Sequence, residues 1–94
     1  MLYKMTEWQS SSGLWYCNCV DDLAHNSGVW YLPARILDLT PAAYIEYMIK
    51  NFKPDRIYAD KESCFISFSW KNQADMRLWK NFINKKAREK NFQI

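Results

Sequence analysis

The residue types best suited to metal binding or nucleophilic chemistry are few in this chain of 94 residues: Cys17, Cys19, Cys64 and His25. Three thiolates and one imidazole are ligands that tetrahedral zinc prefers. Structural zinc sites usually hold their cysteines about two to four residues apart. Here a single residue separates Cys17 from Cys19, and Cys64 lies far from both. We therefore predict no metal and no cofactor, and interpret the cysteines as reduced residues in or near the core.

Acid–base or nucleophilic catalysis would depend on His25, the one imidazole of the chain. His25 lies in the polar segment 21–28, whose aspartate, asparagine, serine and glycine residues are also the usual turn formers. A metal nuclease pattern that begins at Asp55 is incomplete, because neither Asp60 nor Glu62 is followed two positions later by lysine. With two glycines, the chain has no glycine-rich phosphate loop. We therefore predict that the protein is not an enzyme, and a metal- or thiol-dependent activity is the disfavoured alternative.

The chain has a formal net charge of +3, and its basic residues concentrate near the C-terminus, at Lys80, Lys85, Lys86, Arg88 and Lys90. On a helix, these cations could contact phosphates while Trp79 or Phe92 stacks on a base. Cations near a helix C-terminus also complement the helix dipole and remain solvated, which is the simpler explanation. Nucleic-acid binding through this helix is therefore the alternative function.

Aromatic residues make up 17% of the chain, more than a core of this size requires. Some fall at positions predicted to face inward: Trp30, Phe68, Trp70 and Trp79. Others fall on outward or ambiguous faces: Trp8, Tyr16, Tyr31, Tyr44, Tyr47, Tyr58 and Phe65. Exposed rings of this kind are enriched at interface hot spots. We predict a partner-binding surface formed by Tyr31, Tyr58, Phe65, Tyr44 and Tyr47, used for a protein partner or for a homodimer.

Hydrophobic periodicity and turn signals predict five strands and two helices. The strands are predicted at 2–8, 14–20, 29–36, 56–60 and 64–70, and the helices from Thr40 to about Lys53 and from Asn72 onward. The order β-β-β-α-β-β-α indicates an α+β fold with a mainly antiparallel sheet and both helices packed on one face. The length predicts a single domain, residues 1–94.

Local signals refine these elements. Pro33 lacks an amide donor, so the third strand is predicted at an edge or with a bulge. Thr40 is a good N-cap before Pro41, and Asn72 with Asp75 has the spacing of a capping arrangement. The first helix is predicted to face the core with Ile45, Met48, Ile49 and Phe52. The apolar stripe of the second helix fades after residue 87, so the basic end, 80–94, is predicted to extend past the body or to fray.

The longest apolar runs are far shorter than the roughly 20 residues that span a bilayer, and the N-terminus does not resemble a signal peptide. We therefore expect a cytoplasmic protein without membrane insertion. Phe, Tyr, Met, Ile, Asn and Lys outnumber Gly, Ala, Arg and Pro, the bias of AT-rich codons in a low-GC bacterium or its phage. The leading hypothesis is a small binding or regulatory protein, such as a phage or mobile-element inhibitor, that docks an aromatic surface on a protein partner.

Overall fold

The computed structural model describes residues 3–21, 32–60 and 65–90. In chain order the elements are β1 (Tyr3–Gln9), β2 (Trp15–Asp21), α1 (Leu32–Ile36), α2 (Pro41–Asn51), β3 (Arg56–Asp60), β4 (Phe65–Trp70) and α3 (Gln73–Glu89). The four strands form one sheet in the order β1-β2-β4-β3, and all neighbouring strands are antiparallel. The predicted α+β fold with an antiparallel sheet is confirmed.

Two hairpins build the sheet. In the first, β1 and β2 pair along their whole length, from Tyr3 opposite Asp21 to Gln9 opposite Trp15. Their turn ends at Gly13, whose φ of 89° lies in the left-handed region that glycine adopts without steric cost. In the second hairpin, β3 pairs with β4 from Arg56 opposite Ser69 onward. The hairpins form one sheet because β2 also pairs with β4.

The predicted third strand, 29–36, is wrong over residues 32–36, which form the helix α1; residues 29–31 lie outside the described part. Leu32, Pro33, Ala34 and Ile36 are all buried, a pattern that a half-covered strand with alternating faces would not give. Pro33 fits the first turn of a helix, where its missing amide proton has no intrahelical acceptor. After α1, Asp38 adopts a left-handed φ of 57° that ends the helical turn.

The predicted start of α2 is confirmed. Thr40 Oγ1 accepts a hydrogen bond from the Ala43 amide at 3.2 Å, and Pro41 occupies the first helical turn. The predicted core stripe is partly wrong, because Ile49 is 51% exposed. The buried face is rotated toward Tyr44 and Met48, which lie one turn apart and so share one side of the helix.

The second predicted helix is confirmed as α3, which stays helical to Glu89; residues 91–94 lie outside the described part. Asn72 is its N-cap residue, but its side chain donates to Asp75 Oδ2 at 3.2 Å rather than capping a helix amide. Ala87 is fully buried near the basic end, so the helix remains packed on the body there.

All three helices pack on the same face of the sheet, where the core lies. Phe68 and Trp70 of β4 reach this core, as predicted, and the Trp70 ring lies 6.0 Å from the Trp79 ring of α3. Tyr44 of α2 meets Phe68 edge to face at 5.5 Å between ring centroids. No described helix is long and apolar enough to span a bilayer.

Candidate binding surface on the sheet

The face of the sheet opposite the helices carries no described helix, and we call it the open face. Its members follow from the registers, because side chains directly opposite in neighbouring strands share a face. Trp8 lies opposite Tyr16, Tyr16 opposite Ser69, and Ser69 opposite Arg56. Residues two positions further along each strand lie on the same face and form a second row: Thr6, Asn18, Ser67 and Tyr58. Tyr58 is 59% exposed and Trp8 is 43% exposed.

Trp8 and Tyr16 form a stacked pair on this face. Their ring centroids lie 4.2 Å apart, and their planes are inclined by 6°. Cross-strand aromatic pairs of this kind contribute roughly 0.2–1 kcal/mol to sheet stability, and each ring restricts the rotamers of the other. The pair is therefore ordered before any partner binds, which lowers the entropy cost of association.

A groove of about 350 Å³ runs along β4 on the open face. Ser67 and Ser69 line its floor, and larger side chains line it from the strands on both sides: Trp8, Tyr16, Arg56 and Tyr58. Strands lie about 4.8 Å apart, so the walls on β2 and β3 are separated by roughly 10 Å, enough for one flat group between them. Arg56 forms no ion pair with a described residue, which leaves its guanidinium available to an external anion.

The structure brings together only part of the predicted partner-binding set. Tyr58 lies on the open face, whereas Tyr31 and the side chain of Phe65 lie outside the described part. The placement of Tyr44 at the surface is wrong: it is 2% exposed, and its hydroxyl accepts a hydrogen bond from Trp79 Nε1 at 3.2 Å. Burial raises the pKa of Tyr44 well above its usual range. Tyr47 is also a poor surface residue, since it packs against the rings of Phe52 and Phe82.

Trp8 and Tyr16 were predicted on outward or ambiguous faces, and Arg56 was not among the predicted site residues. A stronger signal was available in the serines at 67 and 69, which mark the polar face of β4. Once strand order is known, each hairpin register extends that face to the neighbouring strands. The order of strands itself is set by contacts between distant segments, so the local pattern does not specify it.

The five basic residues near the C-terminus do not form a free cationic patch. Three form ion pairs within the protein: Lys80 with Glu7 at 2.8 Å, Lys86 with Glu89 at 3.5 Å, and Lys90 with Asp38. Of the set, Lys85 and Arg88 have no ion pair with a described residue, and Arg88 Nε donates to the Asn84 carbonyl. Ion pairs already formed in the free protein reduce the gain from contacting phosphates.

The cysteines that the structure describes are poorly suited to nucleophilic chemistry. Cys19 is buried, and the Sγ of Cys17 lies 3.8 Å from the Sδ of Met5. Burial raises the pKa of the Cys17 thiol to about 11, so the thiolate is scarce at neutral pH. Cys64 and His25 lie outside the described residues. Over residues 3–21, 32–60 and 65–90, no three His, Cys, Asp or Glu side chains are placed to hold a metal ion.

No family model, curated protein or solved structure matches this chain.

Proposed function

We propose that this protein is a non-enzymatic binding protein that recognises a protein partner through the open face of its sheet. The observation that carries the proposal is the Trp8–Tyr16 stack beside the exposed Tyr58 ring and the Arg56 guanidinium, which has no ion pair with a described residue. Tryptophan, tyrosine and arginine are the residues most enriched at interface hot spots. An inhibitor or regulator of bacterial or phage origin is the role we infer for such a module.

The composition of the open face also supports a protein partner. Small polar residues with exposed or half-buried side chains lie among the rings: Thr6, Asn18 and Ser67. Rigid rings interspersed with small hydroxyl and amide side chains are typical of binding surfaces that adapt hydrogen bonds to a partner. Arg56 favours a carboxylate on the partner, placed beside an apolar or planar group that enters the groove.

Nucleic-acid binding through the basic C-terminal end is the weaker candidate, because three of its five predicted cations are already paired with carboxylates. Phosphate contacts would give an affinity that falls steeply with salt. We expect no salt-dependent binding of random single-stranded or duplex oligonucleotides. Binding that falls with salt and is lost when Lys85 and Arg88 are both replaced with alanine would favour the nucleic-acid function instead.

The proposal is tested by photo-crosslinking from a single position. Tyr58→benzoylphenylalanine places a photoreactive ring on the open face. The matched control is Leu78→benzoylphenylalanine on α3, since Leu78 is 62% exposed and lies on the helical side of the sheet. Each protein is irradiated in lysate of a low-GC bacterium, with and without nuclease treatment, and adducts are identified by mass spectrometry.

We expect a discrete protein adduct from position 58 and none from position 78. Trp8→Ser should remove the adduct, whereas Ile49→Ser, at another exposed apolar residue, should not. The same adducts from both positions, or an adduct insensitive to Trp8→Ser, would contradict the proposal. An adduct that disappears with nuclease treatment would point to nucleic acid.

A further inference from the structure

The sheet is split between its two hairpins. The central strands β2 and β4 pair at two positions, Trp15 opposite Trp70 and Tyr16 opposite Ser69. Continuing this register would place three more pairs opposite each other: Cys17 with Phe68, Asn18 with Ser67, and Cys19 with Ile66. β2 and β4 do not pair with each other at these positions, although each strand still pairs with its hairpin partner. All six of these residues instead line a cavity of about 350 Å³.

The cavity extends from the open face toward the helices. Thr6 and Asn18 contribute to its lining from the open face, and Tyr44 and Trp79 contribute from behind the sheet. Its remaining walls include the rings of Trp8, Phe68 and Trp70. A volume of this size lies near the lower end of the roughly 300–1,000 Å³ found for small-molecule sites. Aromatic walls with a few polar groups are the usual composition of such sites.

Tyr44 lines this cavity and carries a buried polar group. Its side chain is 2% exposed, and its hydroxyl accepts the Trp79 Nε1 proton at 3.2 Å. No described residue accepts the proton of the Tyr44 hydroxyl itself. A buried hydroxyl that donates to nothing forgoes a hydrogen bond, so a ligand atom that accepts this proton gains one.

We propose that the cavity between the hairpins binds a small, flat bicyclic aromatic compound that carries one hydrogen-bond acceptor at its ring edge. The aromatic walls contact the faces and edges of the compound, and its acceptor atom accepts a hydrogen bond from the Tyr44 hydroxyl. This site is separate from partner binding on the open face, although Trp8 and Ser67 line both the cavity and the groove.

The test compares quinoline with naphthalene on the intact chain, because the two compounds share a shape and differ by one ring nitrogen acceptor. Binding is followed by tryptophan fluorescence, since Trp8, Trp70 and Trp79 line the cavity, and by the shift of the thermal unfolding midpoint. We expect saturable binding of both compounds. Tyr44→Phe keeps the ring and removes the donor, so it should weaken quinoline about tenfold and leave naphthalene unchanged.

Two surface variants locate the site if Tyr44→Phe fails to fold. Asn18 is exposed and lines the cavity but not the groove, so Asn18→Trp should block both compounds. Tyr58 lines the groove but not the cavity, so Tyr58→Ser should leave both affinities unchanged while disrupting partner binding. The inference is overturned if neither compound gives a saturable change, if Tyr58→Ser abolishes binding, or if Tyr44→Phe weakens both compounds equally.

Discussion

An ion-pair cluster joins the edge strand β1 to helix α3, and its removal gives a pH-dependent loss of stability. The Glu7 carboxylate accepts hydrogen bonds from Arg77 at 3.1 Å, Lys80 at 2.8 Å and Gln73 at 3.3 Å. These three donors project from successive turns of α3. We predict that Glu7→Gln, which keeps the size of the side chain and removes its charge, destabilises the fold at neutral pH.

The magnitude follows from the pKa of Glu7. Hydrogen bonds from Arg77 and then Lys80 lower this pKa from its ordinary value of 4.5 to about 2. A carboxyl whose pKa falls this far on folding contributes about 3 kcal/mol at most to the free energy of unfolding at neutral pH. Solvent screens the cluster, because the Arg77 side chain is 54% exposed and that of Glu7 is 17% exposed. We therefore expect a loss of about 1–2 kcal/mol for Glu7→Gln at pH 7.

The pH dependence has a definite sign. Because folding lowers the pKa, the stabilisation is fully present above pH 4.5 and is lost as the pH falls toward 2. Urea unfolding of both proteins, followed by tryptophan fluorescence between pH 2 and 7, measures the free energy of unfolding. The difference in free energy of unfolding between the two proteins should become smaller as the pH falls from 4.5 toward 2. It should also become smaller at high salt. A difference that is equal at pH 7 and pH 2.5 would refute an electrostatic origin.

Two further predictions concern the core. Met48→Ala should reduce the free energy of unfolding by about 3 kcal/mol, because Met48 is fully buried. Ile49→Ala, at an exposed position, should change it by less than about 0.5 kcal/mol. Equal losses for the two variants in urea titrations would contradict the observed buried face of α2. At pH 8, iodoacetamide should modify Cys17 about a hundredfold more slowly in the folded chain than in urea, because folding raises the pKa of the Cys17 thiol from 9.0 to about 11. The rates are measured by peptide mass analysis. Similar rates in the two states would show that the folded chain has an accessible thiolate.

The sequence predicted those elements whose local signals agree with their surroundings. Thr40 and Pro41 define the start of α2 by capping and backbone geometry alone, and the alternation through Phe68 and Trp70 defines β4. The prediction of a strand over residues 32–36 was wrong because five residues are too few to distinguish the two-residue period of a strand from the 3.6-residue period of a helix. The apolar residues of this segment, Leu32, Pro33, Ala34 and Ile36, are buried in the helix.

The binding surface could be predicted less well than the fold. Tyr58 was selected as an aromatic residue on an outward or ambiguous face, and it lies on the open face. The surface placement of Tyr44 was wrong because the helical periodicity did not determine the exact rotation of α2 about its axis. Successive residues are separated by about 100° around a helix, so an error of one position changes which side chains face the core. The cavity was not predictable from local patterns, because it depends on where β2 and β4 stop pairing.

The side chains of β4 connect the two candidate sites. Serine is a poor residue for a central strand, where β-branched and aromatic side chains pack better against their neighbours. Ser67 and Ser69 nevertheless face the same side of this central strand, between rows that carry Tyr16 and Tyr58. Ser69 is 1% exposed, so the space on this face lies over Ser67, which is half-buried. Ser67 lines both the groove and the cavity, and a larger side chain there would fill space that the two proposed sites share.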